Sequence, residues 1–188
     1  MKNAILKVSL FFGLVCGIVA FLFFLLLNLL GMNALGSARN PDFLSALLFM
    51  VGALWYFRRM IRGGLLHFWE GLSVGFLTVL VGAVVSASLV NLFITRVDTG
   101  VLPRHLGELA QMRVARKEHY LALEKSEANF ERMQAQIRQT TPSAMFWDEV
   151  LKKVLLVGLA PVLIASIVFR RQPYSLFNPG GPPEKKPD

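Results

Sequence analysis

Groups that carry chemistry are scarce in this chain. It holds one cysteine, three histidines and twelve acidic residues among 188. A single cysteine, Cys16, excludes an internal disulfide and a multi-cysteine metal site. It follows Val15, where a lipoprotein acylation site would carry a small residue, and reads as a small apolar filler. The P-loop, dinucleotide fingerprint, HExxH and GxSxG patterns are all absent. No nucleophile–base set is visible, so no catalytic residue, no cofactor and no metal site are expected. Charge is also missing from several long stretches, which is the signature of a chain that meets lipid.

What is abundant is apolar surface. Hydrophobic residues make up 54% of the chain and the mean hydropathy is +0.52. A soluble domain carries about 45–50% on a similar count. The net charge is +8. In a soluble protein that excess would suggest nucleic acid. Here the basic residues flank apolar runs, so they read as topology signals and lipid headgroup contacts, and no nucleic-acid partner is expected.

Four runs are long and apolar enough to cross a bilayer, at residues about 5–30, 43–61, 65–94 and 150–169. The first follows Lys2 and Lys7, a pattern shared with signal peptides. It exceeds the usual h-region of about 7–15 residues, and only Ala34–Leu35–Gly36 offers a weak cleavage site, so it is read as a retained span. Gly13 and Gly17 have small-xxx-small spacing, which either admits a neighbouring helix or reflects the frequency of glycine in membrane spans. The second run is short and ends in Trp55, Tyr56 and an arginine cluster. It either spans with Arg58 and Arg59 snorkelling to the headgroups or only dips into the membrane.

The third run is the one around which the rest is arranged. Gly71, Gly75 and Gly82, with Ser86, fall mostly on one helical face and predict a packing seam against another span. The fourth run has Lys152 and Lys153 near its start, expected to snorkel outward, and Pro161 in its middle, expected to kink it. The proline-rich segment 172–188 cannot build a core and reads as a disordered tail.

Between the third and fourth runs lies a polar arm, about 103–139, rich in helix formers. Leu109, Leu123, Phe130 and Ile137 repeat at seven or twice seven, with Arg116 at the missing step. They predict one apolar ridge on one helix. That ridge would lie on membrane lipid, or pack on a protein partner or a second copy of the chain as a homo-oligomer. The expected fold is therefore all-α, an integral membrane protein with four transmembrane helices and an extracytoplasmic amphipathic arm.

Glu70 is an ionisable group inside a run, with His67 one turn earlier on the same face. Two readings stand. It is a functional group, as intramembrane carboxylates tend to be, or it lies at headgroup level and pairs with an arginine such as Arg62. The second is preferred, because Glu70 sits close to the start of the run. A His–Glu pair alone has too few ligands for a metal site.

The layout resembles the uncharacterised bacterial inner-membrane proteins of domain-of-unknown-function family 4199. The likeness lies in the start MKNAILK, in HFWEGLSVGF opening a glycine-rich third span, in the polar helix after that span, and in VGLAPVLIASIVFRR at the end of the last one. The resemblance implies a fold and a bacterial inner-membrane location and carries over no activity. The expected role is non-enzymatic, as an interaction or accessory subunit. The rival is a small oligomeric transporter or proton-coupled subunit built around Glu70.

Basic residues cluster at the termini and at Arg58, Arg59 and Arg62, whereas the loop before the second run holds only Arg39. The positive-inside rule then puts both termini in the cytoplasm and the arm outside. In a Cys16→Ser background, Ser126→Cys should react with an impermeant thiol reagent in intact cells and Ser175→Cys only after lysis. The reverse pattern would overturn the orientation.

Overall fold

The computed structural model describes residues 2–124 and 126–170, without the side chains of residues 2 and 121–124. The tail expected at 172–188 lies outside the described residues. Among the described residues every regular element is helical. The helices are α1 (Lys2–Leu29), α2 (Pro41–Tyr56), α3 (Phe68–Arg96), α4 (Val101–Ala115), α5 (Lys117–Glu124), α6 (Glu127–Arg138), α7 (Pro142–Lys153) and α8 (Ala160–Phe169). A wide π-type turn, Phe57–Ile61, extends α2, and a second, Val154–Leu159, joins α7 to α8.

Four of the resulting rods are long and apolar enough to cross a membrane: Asn3–Leu29, Ser37–Ile61, Phe68–Arg96 and Pro142–Phe169. At about 1.5 Å per residue the longest reaches roughly 44 Å, more than a hydrocarbon core of about 30 Å. Their outer faces carry large exposed apolar side chains, including Phe11, Leu22, Leu48, Leu156 and Ile164. Water would penalise such a surface and lipid accepts it. Exposed Trp55 and Trp69 lie at one end of the bundle and exposed Trp147 at the other, as amphipathic rings do at two membrane–water boundaries.

The rods alternate in direction. The loop 31–40 and the arm therefore share one end of the bundle, and the return between α2 and α3 lies at the other. That return turns on Gly63 and Gly64, whose φ values of 58° and 96° are left-handed and suit glycine. Arg58 holds it closed, its Nε donating to the Gly64 carbonyl at 3.1 Å.

α3 is the axis, packing against α1, α2, α7 and α8. Gly71, Gly75, Gly82 and Ser86 are all buried, but the seam meets more than one rod. A methyl group on Gly75 would lie 2.9 Å from Val162 Cγ1 of α8, and one on Gly82 3.2 Å from Cys16 Sγ of α1. Gly71 faces Ser166. Gly13 and Gly17 complete the α1–α3 contact, where a methyl group would lie 2.7 Å from Val81 Cβ and 2.6 Å from Val85 Cβ respectively. Both are close-approach positions.

Two expectations fail in the arm and the last rod. The arm is three helices, not one. α4 stops at Arg116, the missing step of the sevenfold spacing, whose φ of −114° and ψ of 33° leave the helical range. α6 then folds back antiparallel along α4: Gln134 Nε2 donates to the Ala110 carbonyl at 3.1 Å, and Lys117 pairs with Glu127 at 2.7 Å. The apolar ridge is thus split. Phe130 is buried under the Arg113 guanidinium, Leu109 and Ile137 are half-buried, and the side chain of Leu123 lies outside the described residues. The last rod starts at Pro142, two turns earlier than its apolar run, because Thr141 caps it by accepting from Ala144 N–H at 3.3 Å.

Overpacking in a close helix contact costs about 1–3 kcal/mol. Gly17→Ala should therefore lower the unfolding midpoint in detergent. Gly107→Ala, on a helix with open space around the new methyl, should raise it or leave it unchanged. Equal midpoints for Gly17→Ala and the parent would refute the close contact.

Candidate functional site

The α7 sequence places Glu149 and Lys153 one turn apart, in the favourable order for an i,i+4 pair. Neither faces outward. The Lys153 side chain is 5% exposed and its Nζ lies 2.7 Å from Asp42 Oδ2, 3.1 Å from Glu149 Oε1 and 2.7 Å from Ser86 Oγ. Two of these contacts are hydrogen bonds, to Ser86 and Glu149, and the third is an ion pair with Asp42. Lys153 was expected to snorkel, and the structure corrects this. Lys152, its neighbour, does point outward and pairs with Asp148 at 2.6 Å. Neighbours on a helix diverge by about 100°, so Lys152 can face outward while Lys153 faces the bundle.

Arg39 closes the cluster. It sits in the short 3-10 turn Ser37–Arg39 and reaches across to α7. Its NH1 and NH2 donate to Glu149 Oε2 and Oε1 at 2.9 and 2.7 Å, a bidentate fork, while NH2 lies 3.3 Å from Asp42 Oδ2. The guanidinium also lies over the Phe24 ring at 5.5 Å. Ser86 of α3 accepts from Lys153 and donates to Glu149 at 3.0 Å. Asp42 occupies the first turn of α2, where the helix dipole favours an anion. The cluster pins the loop 31–40, α2, α3 and α7 to one another. Its two cations and two anions sum to zero, and we refer to it as the charge lock.

Above the lock lies a cavity of about 310 Å³ between the loop 31–40, α4 and α7, with Arg39, Asp42, His105, Leu109, Asp148 and Lys152 among its lining. The arm is latched over it. Asn33 Oδ1 accepts from Leu35 N–H at 3.2 Å, and Asn33 Nδ2 donates to Glu108 Oε2 at 2.6 Å. That fixes the amide, so the 2.9 Å contact from His105 Nδ1 to Asn33 Oδ1 requires the hydrogen on Nδ1. Burial holds the His105 imidazole below its ordinary pKa of 6.5; nearby Glu108 opposes the shift and Lys152 adds to it.

The residues singled out from sequence lie elsewhere. Glu70 is at the opposite end, where Arg62 NH2 reaches its Oε1 at 2.8 Å and Arg62 Nε donates to its Oε2 at 3.0 Å. The same Oε2 accepts from His67 N–H at 3.3 Å, so Glu70 also caps α3. His67 is half-exposed beside the pair. Among the described residues no group of His, Cys, Asp and Glu could hold a metal ion. Gly71, Gly75 and Gly82 belong to the helix packing described above.

A family model matches residues 11–171. The chain belongs to the family described as protein of unknown function (DUF4199). No curated protein and no solved structure matches it. The matched range of this DUF4199 chain contains the whole of the lock and of the latch.

Removing one partner from a buried ion pair leaves an uncompensated charge and costs about 3–5 kcal/mol. Lys153→Met should therefore destabilise the DUF4199 protein strongly in detergent unfolding. Lys153→Met combined with Asp42→Asn, which removes one charge of each sign, should regain much of the loss. Additive effects of the two substitutions would refute the coupling.

Proposed function

We propose that this DUF4199 protein is a non-enzymatic inner-membrane protein of a bacterial cytoplasmic membrane. Both termini are cytoplasmic, and it works as an interaction or accessory subunit through an arm on the outer face. The observation that carries this reading is the state of the arm. α4 and α6 form a hairpin, held by Gln134 donating to the Ala110 carbonyl and by Arg113 stacked at 4.5 Å on Tyr120, and the latch through Asn33 ties it to the bundle. A segment held this way presents a shaped polar head, with Met112, Val114 and Met133 exposed on it. The groups inside the bundle are engaged with one another, which supports a structural use for them.

A second reading has one observation in its favour. Lys153 and Asp42 are ionisable, almost fully buried, and set on two membrane-crossing rods. Such groups mark ion or proton pathways in many membrane proteins. On that reading the chain is a small oligomeric transporter or proton-coupled subunit whose working carboxylate is Asp42 rather than Glu70.

A photo-crosslinking residue placed at Met112, Val114 or Met133 distinguishes the outcomes in native membranes. A second copy gives an adduct at twice the 21.0 kDa chain mass, and a different partner gives one fixed other mass. Crosslinks to lipid alone at all three positions would overturn the interaction role of the arm.

A further inference from the structure

The cavity above the lock has a floor and a rim of different character. The floor is the lock, in which Lys153 is closed in by Asp42, Glu149 and Ser86, and Glu149 already accepts from Arg39, Lys153 and Ser86. Arg39 Nε has no partner but is fully buried, out of a ligand's reach, so a ligand gains little by competing there. The rim is the pair Asp148–Lys152, with side chains 51% and 60% exposed. An exposed pair of this kind contributes little to stability, so its partners exchange at small cost. The walls between are apolar at Leu35, Leu109 and Met145.

The charges lining the cavity balance. Arg39, Lys152 and Lys153 stand against Asp42, Asp148 and Glu149, and His105 is held neutral by burial. A ligand carrying net charge would leave that charge unmatched in a half-enclosed pocket, where desolvation is costly. A ligand carrying both signs leaves no net charge unmatched. Its cation can take Asp148 and its anion Lys152 as the rim pair opens, replacing one ion pair by two. The volume of about 310 Å³ is at the lower end of the roughly 300–1,000 Å³ typical of small-molecule pockets. That suits a small group or a headgroup. The cavity also lies at the bundle end marked by exposed Trp147, the level at which headgroups lie.

We propose that this cavity binds a zwitterion, an ammonium linked by a short spacer to a phosphate or carboxylate, with Asp148 and Lys152 as its two ligating groups. The proposal goes beyond the accessory-subunit reading and does not depend on it. Two sources share the chemistry, the headgroup of a phosphatidylethanolamine lipid and a free phosphoethanolamine-type molecule.

The test uses the full delipidated chain in detergent. Native mass spectrometry follows phosphatidylethanolamine and phosphatidylglycerol, and calorimetry follows soluble glycerophosphoethanolamine. Saturable binding of a zwitterionic probe, at least ten-fold tighter than the anionic phosphatidylglycerol, is expected. Asp148→Asn and Lys152→Gln should each weaken it at least ten-fold with an unchanged unfolding midpoint. Arg104→Gln, which breaks the comparable exposed pair with Asp98, should leave binding unaltered. Binding of the lipid but not of glycerophosphoethanolamine assigns the site to a membrane headgroup; comparable binding of both assigns it to the free zwitterion. No saturable binding, a preference for phosphatidylglycerol, or indifference to both rim substitutions would overturn the proposal.

Discussion

An ammonium group buried between membrane-crossing helices must be neutralised and hydrogen-bonded, and Lys153 imposes that condition on the arm end of this bundle. Desolvating a charge costs several kcal/mol or more, and only good geometry recovers it. The geometry here draws on Asp42, Glu149 and Ser86, which come from three different rods. Arg39 then becomes necessary, because two carboxylates around one lysine leave a net negative charge. Each member thus explains the presence of the next. The short turn carrying Arg39 and the start of α2 have their places set by α7.

Away from the lock the bundle is held by closeness rather than charge. Helices in lipid gain little from hydrophobic burial and associate through packing. Small residues along α3, with Gly13 and Gly17 on α1, bring backbones near enough for side chains such as Val81, Val85 and Val162 to lie flat against the partner helix. Buried hydroxyls follow the same economy of space. Thr78 and Ser166 donate to carbonyls one turn back in their own helices, and Ser9 donates to Val74 across the α1–α3 contact. The two ends differ in kind: an ion network at the arm end, and a capped turn with the Arg62–Glu70 pair at the other.

The rods were legible because apolar length is a strong signal, and the α3 seam because small residues keep helical spacing over several turns. The pairing of Glu70 with Arg62 was legible because the two lie a short loop apart. The lock was not. Arg39 and Asp42 flank Asn40–Pro41 in what reads as an ordinary polar loop, and nothing in that stretch names Glu149 or Lys153 as partners over a hundred residues away. Lys153 shares its composition with Lys152, and only helical phase separates them. The arm misled for a related reason. Its sevenfold spacing promised one ridge, yet the interruption at Arg116 was the end of a helix, and the residues beyond it turn back on those before it.

The wide turn Val154–Leu159 carries one residue more than an α-helical turn would. It lies just ahead of Pro161, which has no N–H to give the ladder. Its effect on the buried stripe of the last rod is specific. Val150, Lys153 and Val157 are spaced three and four apart; the stripe then steps one residue to Gly158, from which Val162 and Ser166 follow at intervals of four. The inserted residue rotates everything beyond it by about 100°, a phase shift in the helical wheel. Without it the inward positions of the second half would fall on Pro161 and its neighbours rather than on Val162 and Ser166, which meet Gly75 and Gly71. The rod is two wheels on one axle, one phased to the lock and the other to the glycines of α3, so each half answers to its own neighbours when a residue is changed.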